Sequence, residues 1–162
     1  MDETAIRPAT EDDLHSVAAL RWQWLVEENG AVFSIPEDMF IRQFASWAHE
    51  HAQTHRCLVA ERDGAVIGMA IFAIFDRVPT PRDLERVSAE LQCVYVAPTA
   101  RSSGIGARLI DSAVTAAGDF GAERITVHSS ERAVTSYARA GFSSSERFMD
   151  QSLPGVCRPV GR

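Results

Sequence analysis

The residues with the clearest chemical signature are Arg101, Gly104 and Gly106, in the spacing Arg-x-x-Gly-x-Gly. They follow a run of strand-forming residues, 90–96 (ELQCVYV), which Pro98 brings to a stop. From Ile105 onward the apolar residues Ile105, Leu109, Ala113 and Ala117 recur at steps of four, with Ile110 and Val114 beside them, which is a helical pattern. A strand therefore runs through a polar turn into the start of a helix. Unpaired backbone N–H groups and the helix dipole make such a start an anion site. Glycines at 104 and 106 let a ligand come close to the backbone, and Arg101 can pair with a phosphate. A nucleotide-triphosphate loop is excluded, because Ala107-Arg108 stands where Lys-Ser or Lys-Thr is required. The dinucleotide fingerprint is excluded too, because its third glycine position is Leu109.

Taken with the Val94-Tyr95-Val96 strand before it, this spacing resembles the acyl-coenzyme A loop of the GNAT superfamily of N-acetyltransferases. The likeness continues downstream with a strand over residues 123–128, a short helix over 133–140, and the ending Tyr137-x-x-x-Gly141-Phe142. It covers roughly residues 6–142 and is strongest from Leu91 onward. The resemblance implies a single α/β (α+β) domain over 1–162: a mainly antiparallel, twisted sheet of about 6–7 strands with helices on both faces. It implies acetyl-CoA as co-substrate and direct transfer of the acetyl group to a primary amine of a small molecule or peptide in a ternary complex. Coenzyme contacts would come from Val94, Tyr95 and Val96, from Arg101, Ser102, Ser103, Gly104, Ile105, Gly106, Ala107 and Arg108, and from Ser130 and Tyr137. No metal is implied.

Thioester aminolysis needs a base for the ammonium, a donor for the oxyanion and an acid for the thiolate. By the resemblance these are Glu90, the N–H of Val94 and the Tyr137 hydroxyl, respectively. Strand alternation places Glu90 on one face with Gln92 and Val94. Many relatives carry an asparagine seven residues before the tyrosine; here that position is Ser130, a shorter donor and acceptor, with Ser129 and Arg132 adjacent and His128 a further titrating group. The alternative of a non-catalytic acyl-CoA sensor or regulatory module has the same fold, and the presence of Glu90 and Tyr137 weighs against it.

The elements that must position these residues read as follows. A short strand over 5–9 is followed by Thr10-Glu11-Asp12-Asp13, a capping side chain with acids in the first turn, and a helix to about Glu28 that ends at Asn29-Gly30. Trp22 and Trp24 lie on it, as packing residues or as a wall of the acceptor pocket. Pro36 opens a second helix to about His51, with Phe40, Phe44 and Trp47 on one face, and the apolar loop between the helices is a place to look for acceptor specificity. His49, His51 and His55 lack a completing ligand at metal spacing and read as a solvated helix end. Residues 56–61 and 65–75 form a hairpin about Asp63-Gly64, residues 76–88 a loop, and residues 146–153 a last strand.

Hydrophobic residues make up 46% of the 162, charged residues 23%, and the formal net charge is -6, which disfavours nucleic acid and anionic membrane as partners. Cys57, Cys93 and Cys157 are too few for a disulfide framework, and the N-terminal residues do not read as a secretory signal, so a reduced, cytoplasmic setting is expected. Monomer and homodimer both stay open.

Overall fold

The computed structural model describes residues 3–30 and 33–154. Five strands lie in the spatial order β1-β2-β3-β4-β5: β1 Ala5–Pro8, β2 His55–Arg62, β3 Ala65–Asp76, β4 Val87–Val96 and β5 Ala122–Val127. Pairing is antiparallel from β1 to β4 and parallel between β4 and β5. Helices α1 (Leu14–Asn29) and α2 (Glu37–Glu50) cover one face. Helix α3 (Ile105–Asp119) covers the other, and the short α4 (Val134–Arg139) brings Tyr137 against the same core.

The mixed α+β class is as expected, but the sheet has five strands among the described residues rather than 6–7. Residues 146–153 form no strand: Phe148, Met149 and Leu153 are exposed, and an isolated segment gains no ladder without a neighbour in register. Cys157 lies outside the described residues, as do Ala31 and Val32 of the α1–α2 loop.

Two cores form because the strands alternate. Leu58, Ala60, Ala70, Phe72, Ala89 and Leu91 meet Ile105, Leu109 and Ala113 of α3. Val59, Met69, Ile71, Cys93 and Tyr95 meet Val17 and Leu20 of α1. The register between β3 and β4 slips at Ile71/Phe72: Cys93 opposes Ile71 and Leu91 opposes Phe72, so Gln92 is an extra, bulged residue. Before the bulge, Ala89 and Leu91 face α3; after it, Val94 and Val96 do. Glu90 therefore points to the α1 face with Cys93 and Tyr95, not to the face of Val94 as strict alternation predicts. It also stands inside β4, which begins three residues earlier at Val87.

An N-terminal knot pins α1 to the sheet. Asp13 accepts from the Thr10 N–H (2.7 Å) and hydroxyl (3.0 Å) and from two Arg7 nitrogens (2.6 and 3.0 Å), and Arg7 also pairs with Glu61 of β2. Arg7 holds the Asp13 carboxyl well below the usual carboxylate range. On the opposite face Gly68 sets the approach of α3: a Cβ there would lie 3.2 Å from Leu109 Cδ1 and from the Tyr95 carbonyl oxygen.

Candidate active site

Strands β4 and β5 pair only from Val87 to Leu91; beyond the pair Leu91–Val127 they diverge. The split opens a cleft of about 380 Å³ whose walls include Trp24, Glu28, Gln92, Val94, Ser130 and Tyr137. The bulge at Gln92 sits where the split begins, and a bulge bends and twists its strand.

What the split exposes follows from the ladder. The Ala97 N–H donates to Ile67 O at 2.9 Å, directed toward β3. In an antiparallel pair the direction alternates, so Tyr95 and Cys93 pair with Met69 and Ile71, and the N–H and C=O of Val94 and Val96 point outward. No β5 residue meets them there. A row of main-chain donors and acceptors thus lines the cleft and runs toward the turn at 101–106.

That turn is shaped by backbone conformation. Ser102 (φ 61°) and Gly104 (φ 78°) are left-handed, and Gly104 is the N-cap of α3 with no side-chain cap. The Arg108 N–H returns to Gly104 O, leaving the N–H groups of Ile105, Gly106 and Ala107 without helical partners. At Gly106 a Cβ would meet only Val96 Cγ2, at 3.8 Å. The Ser103 hydroxyl turns back to Ala100 O at 2.6 Å.

Several predicted side chains are placed elsewhere. Arg101 donates to Val96 O (3.0 Å) and to Glu27 (2.7 Å) rather than standing over the turn. Arg108 donates to Thr4 O at 2.8 Å. Tyr95 lies on the α1 face with its hydroxyl 2.5 Å from Glu27, and burial followed by that carboxylate pushes its pKa up to about 12. Glu90 accepts from Gln92 Nε2 at 3.0 Å, and Gln92, not Glu90, lines the cleft.

Tyr137 is in the cleft wall, half-buried, with its ring edge-on to Phe142 at 5.4 Å between centroids. Its hydroxyl has no hydrogen bond among the described residues, and burial raises its pKa. His128, Ser129 and Ser130 line the same wall. Trp24 is a cleft wall and stacks on Tyr95 at 6.4 Å, whereas Trp22 packs against Phe33 and Phe40. Glu28 and the Glu27–Arg101 pair carry no signal in the sequence, because nothing local in a helical segment says which acid will meet a turn 74 positions away.

The histidines form no metal site. His51 stacks on Trp47 at 4.6 Å and His55 opens β2, and no group of metal-ligating residues occurs among those described. A second cavity of about 200 Å³, between α1, α2 and β2, is lined by Leu14, Val17, Phe44, Trp47 and Cys57 and lies away from the split. No helix among the described residues is long and apolar enough to cross a membrane.

The model of the acetyltransferase (GNAT) family matches residues 14–142. The chain belongs to that family. Its fold is shared by a predicted acetyltransferase from Clostridium acetobutylicum, solved with acetyl-CoA (21% identity, 93% of this chain and 96% of that one, TM-score 0.73). A GCN5-related N-acetyltransferase from Ralstonia eutropha is similar over 94% of this chain and 100% of its own (23% identity, TM-score 0.73). An integron cassette protein from Vibrio cholerae superimposes at a TM-score of 0.77 with 16% identity, over 94% and 93% of the two chains. No curated protein matches the sequence.

Proposed function

We propose that this GNAT domain transfers the acetyl group of acetyl-CoA to a primary amine by direct attack in a ternary complex. The observation that carries the proposal is the split itself: the outward N–H and C=O groups of Val94 and Val96 lead from the cleft to an uncapped helix start. The pantetheine arm, an extended amide chain, adds to that edge as a strand would, and the pyrophosphate settles on the N–H groups of Ile105, Gly106 and Ala107. Arg101 must release Val96 O for this to happen, and its guanidinium is then free to meet a phosphate.

The amine loses its proton to Glu90 through water, since Glu90 stands behind the cleft wall, where Gln92 donates to its carboxylate at 3.0 Å. Its lone pair forms the C–N bond, and the oxyanion is held by the Val94 N–H. As the C–S bond breaks, the sulfur takes the Tyr137 proton, which burial retains on the phenol. A route through an acyl-enzyme at Cys57 or Cys93 is disfavoured. Burial pushes the thiols of Cys57 and Cys93 up to about 12 and about 11, so neither supplies a thiolate near neutral pH.

Thermal unfolding with acetyl-CoA, NAD and ATP tests the binding half. At about a hundred times its Kd, acetyl-CoA adds about 2.7 kcal/mol of stability. A shift with acetyl-CoA that exceeds those with NAD and ATP supports the reading, and a flat response refutes it. Thiol release over an amine panel tests transfer; binding without release on any amine identifies a sensor module instead.

A further inference from the structure

With the coenzyme arm on the edge of β4 and its pyrophosphate at the start of α3, the cleft wall left for the acceptor is the end of α1, which contributes Trp24 and Glu28. The two residues are one turn apart, so they share a stripe of the helix. Glu28 is exposed and makes no hydrogen bond or ion pair among the described residues. Its neighbour Glu27 is engaged, accepting from the Tyr95 hydroxyl and from Arg101 at 2.7 Å. Burial is the main cause of the raised Cys93 thiol, and the charge of Glu28 adds to it, so this carboxylate is within electrostatic reach of the residue before Val94. The carbonyl end of a helix is partially negative, and a cation there relieves what a carboxylate aggravates. Yet α1 has no basic residue in its last turn, and no lysine or arginine is among the described residues that line the cleft.

We infer that the acceptor is a diamine, and that Glu28 holds its second ammonium at the mouth of the cleft while the first nitrogen reacts. The inference rests on the transfer reading above and names its substrate class. The reacting nitrogen is neutral when it attacks and ends as an amide, so it gives Glu28 no lasting partner. A second amine, with an ordinary pKa of about 10.4, stays charged throughout the reaction. It meets the Glu28 carboxylate and the carbonyl end of α1 together, and Trp24 offers the methylenes between the two nitrogens an apolar wall. The same charges act against an acceptor with a carboxylate in that place, which would stand beside Glu28 with no cation to offset it.

Straight-chain diamines make the test, each beside the monoamine and the ω-amino acid of the same length. An exposed ion pair is worth up to about fivefold in affinity. With the full chain and acetyl-CoA, the best diamine should therefore exceed its monoamine by about fivefold in kcat/KM for thiol release, and the amino acid should fall below the monoamine. The gain should lie mainly in KM and shrink as salt is added. Glu28→Gln should level the three acceptors with Tm and the acetyl-CoA thermal shift unchanged. Glu85→Gln, which removes an equal charge outside the cleft, should keep their order. Thermal unfolding without acetyl-CoA reads the same site: the diamine should stabilise the chain more than its monoamine does, and only Glu28→Gln should abolish the difference. Equal use or equal binding of diamine and monoamine, or the same loss in both variants, overturns the inference. A Glu28→Gln variant that slows every acceptor alike makes Glu28 a base and overturns it too. A flat response to acetyl-CoA overturns the transfer reading instead.

Discussion

Tyr137→Phe separates chemistry from folding at this site. The hydroxyl is half-buried and makes no hydrogen bond among the described residues, while the ring packs edge-on against Phe142 and joins the α3 core. Removing the oxygen keeps the ring contacts and discards a polar atom that no protein group satisfies, so stability should change by less than about 0.5 kcal/mol. The activity should not be spared. A positioned general acid contributes about 10²–10⁴-fold, and even the tenfold minimum corresponds to about 1.4 kcal/mol in the barrier. The assay pairs chemical denaturation with steady-state thiol release and acetyl-CoA titration. Expected are an unchanged midpoint, unchanged coenzyme affinity and a kcat reduced more than tenfold. The acid acts in its protonated form, and burial raises its pKa above the ordinary value, so its contribution persists through neutral pH and is lost only at strongly alkaline pH. A Phe variant with wild-type kcat refutes the assignment. One that loses activity and stability together makes Tyr137 a packing residue.

Asp13→Asn removes the charge that Arg7 and the Thr10 cap share and should cost about 2–3 kcal/mol, read by urea denaturation. Because the folded-state pKa of Asp13 is depressed, its stabilisation is complete above the unfolded value near 4 and is lost as pH falls through the folded value. The variant's deficit should therefore shrink in acid, and a deficit independent of pH would contradict the pairing. Gly68→Ala puts a Cβ 3.2 Å from a backbone carbonyl and from Leu109 and should cost about 1–3 kcal/mol, lowering Tm as α3 is pushed outward; an unchanged Tm would show that the helix can give. The two turn glycines should part ways in the same assay. Gly104→Ala, at φ 78° in open space, loses about 1–2 kcal/mol, whereas Gly106→Ala, inside α3 with nothing nearer than 3.8 Å, gains up to about 1 kcal/mol. Equal effects would mean that conformation does not govern the turn.

Local physics was written plainly in the chain. Proline ending a strand, apolar residues at steps of four from Ile105, Thr10 with acids after it and Gly30 after α1 each act within a few residues, and helices α1, α2 and α3 lie close to where those signals put them. The glycine turn that opens α3 was legible for the same reason. Tertiary structure decided what depends on pairing between distant segments. Gln92 is bulged only because β3 fixes the register on both sides of it, and that one residue moves Glu90 to the α1 face and lies where β4 leaves β5. Likewise Glu27 claims Arg101, and Trp24 and Glu28 become cleft walls, through the angle at which α1 crosses the sheet. The sequence determined the turn at 101–106 with its uncapped helix start and the order of the elements around it, since those rest on neighbours in the chain. Which side chains meet across the split was settled by register and packing, which no short window of sequence contains.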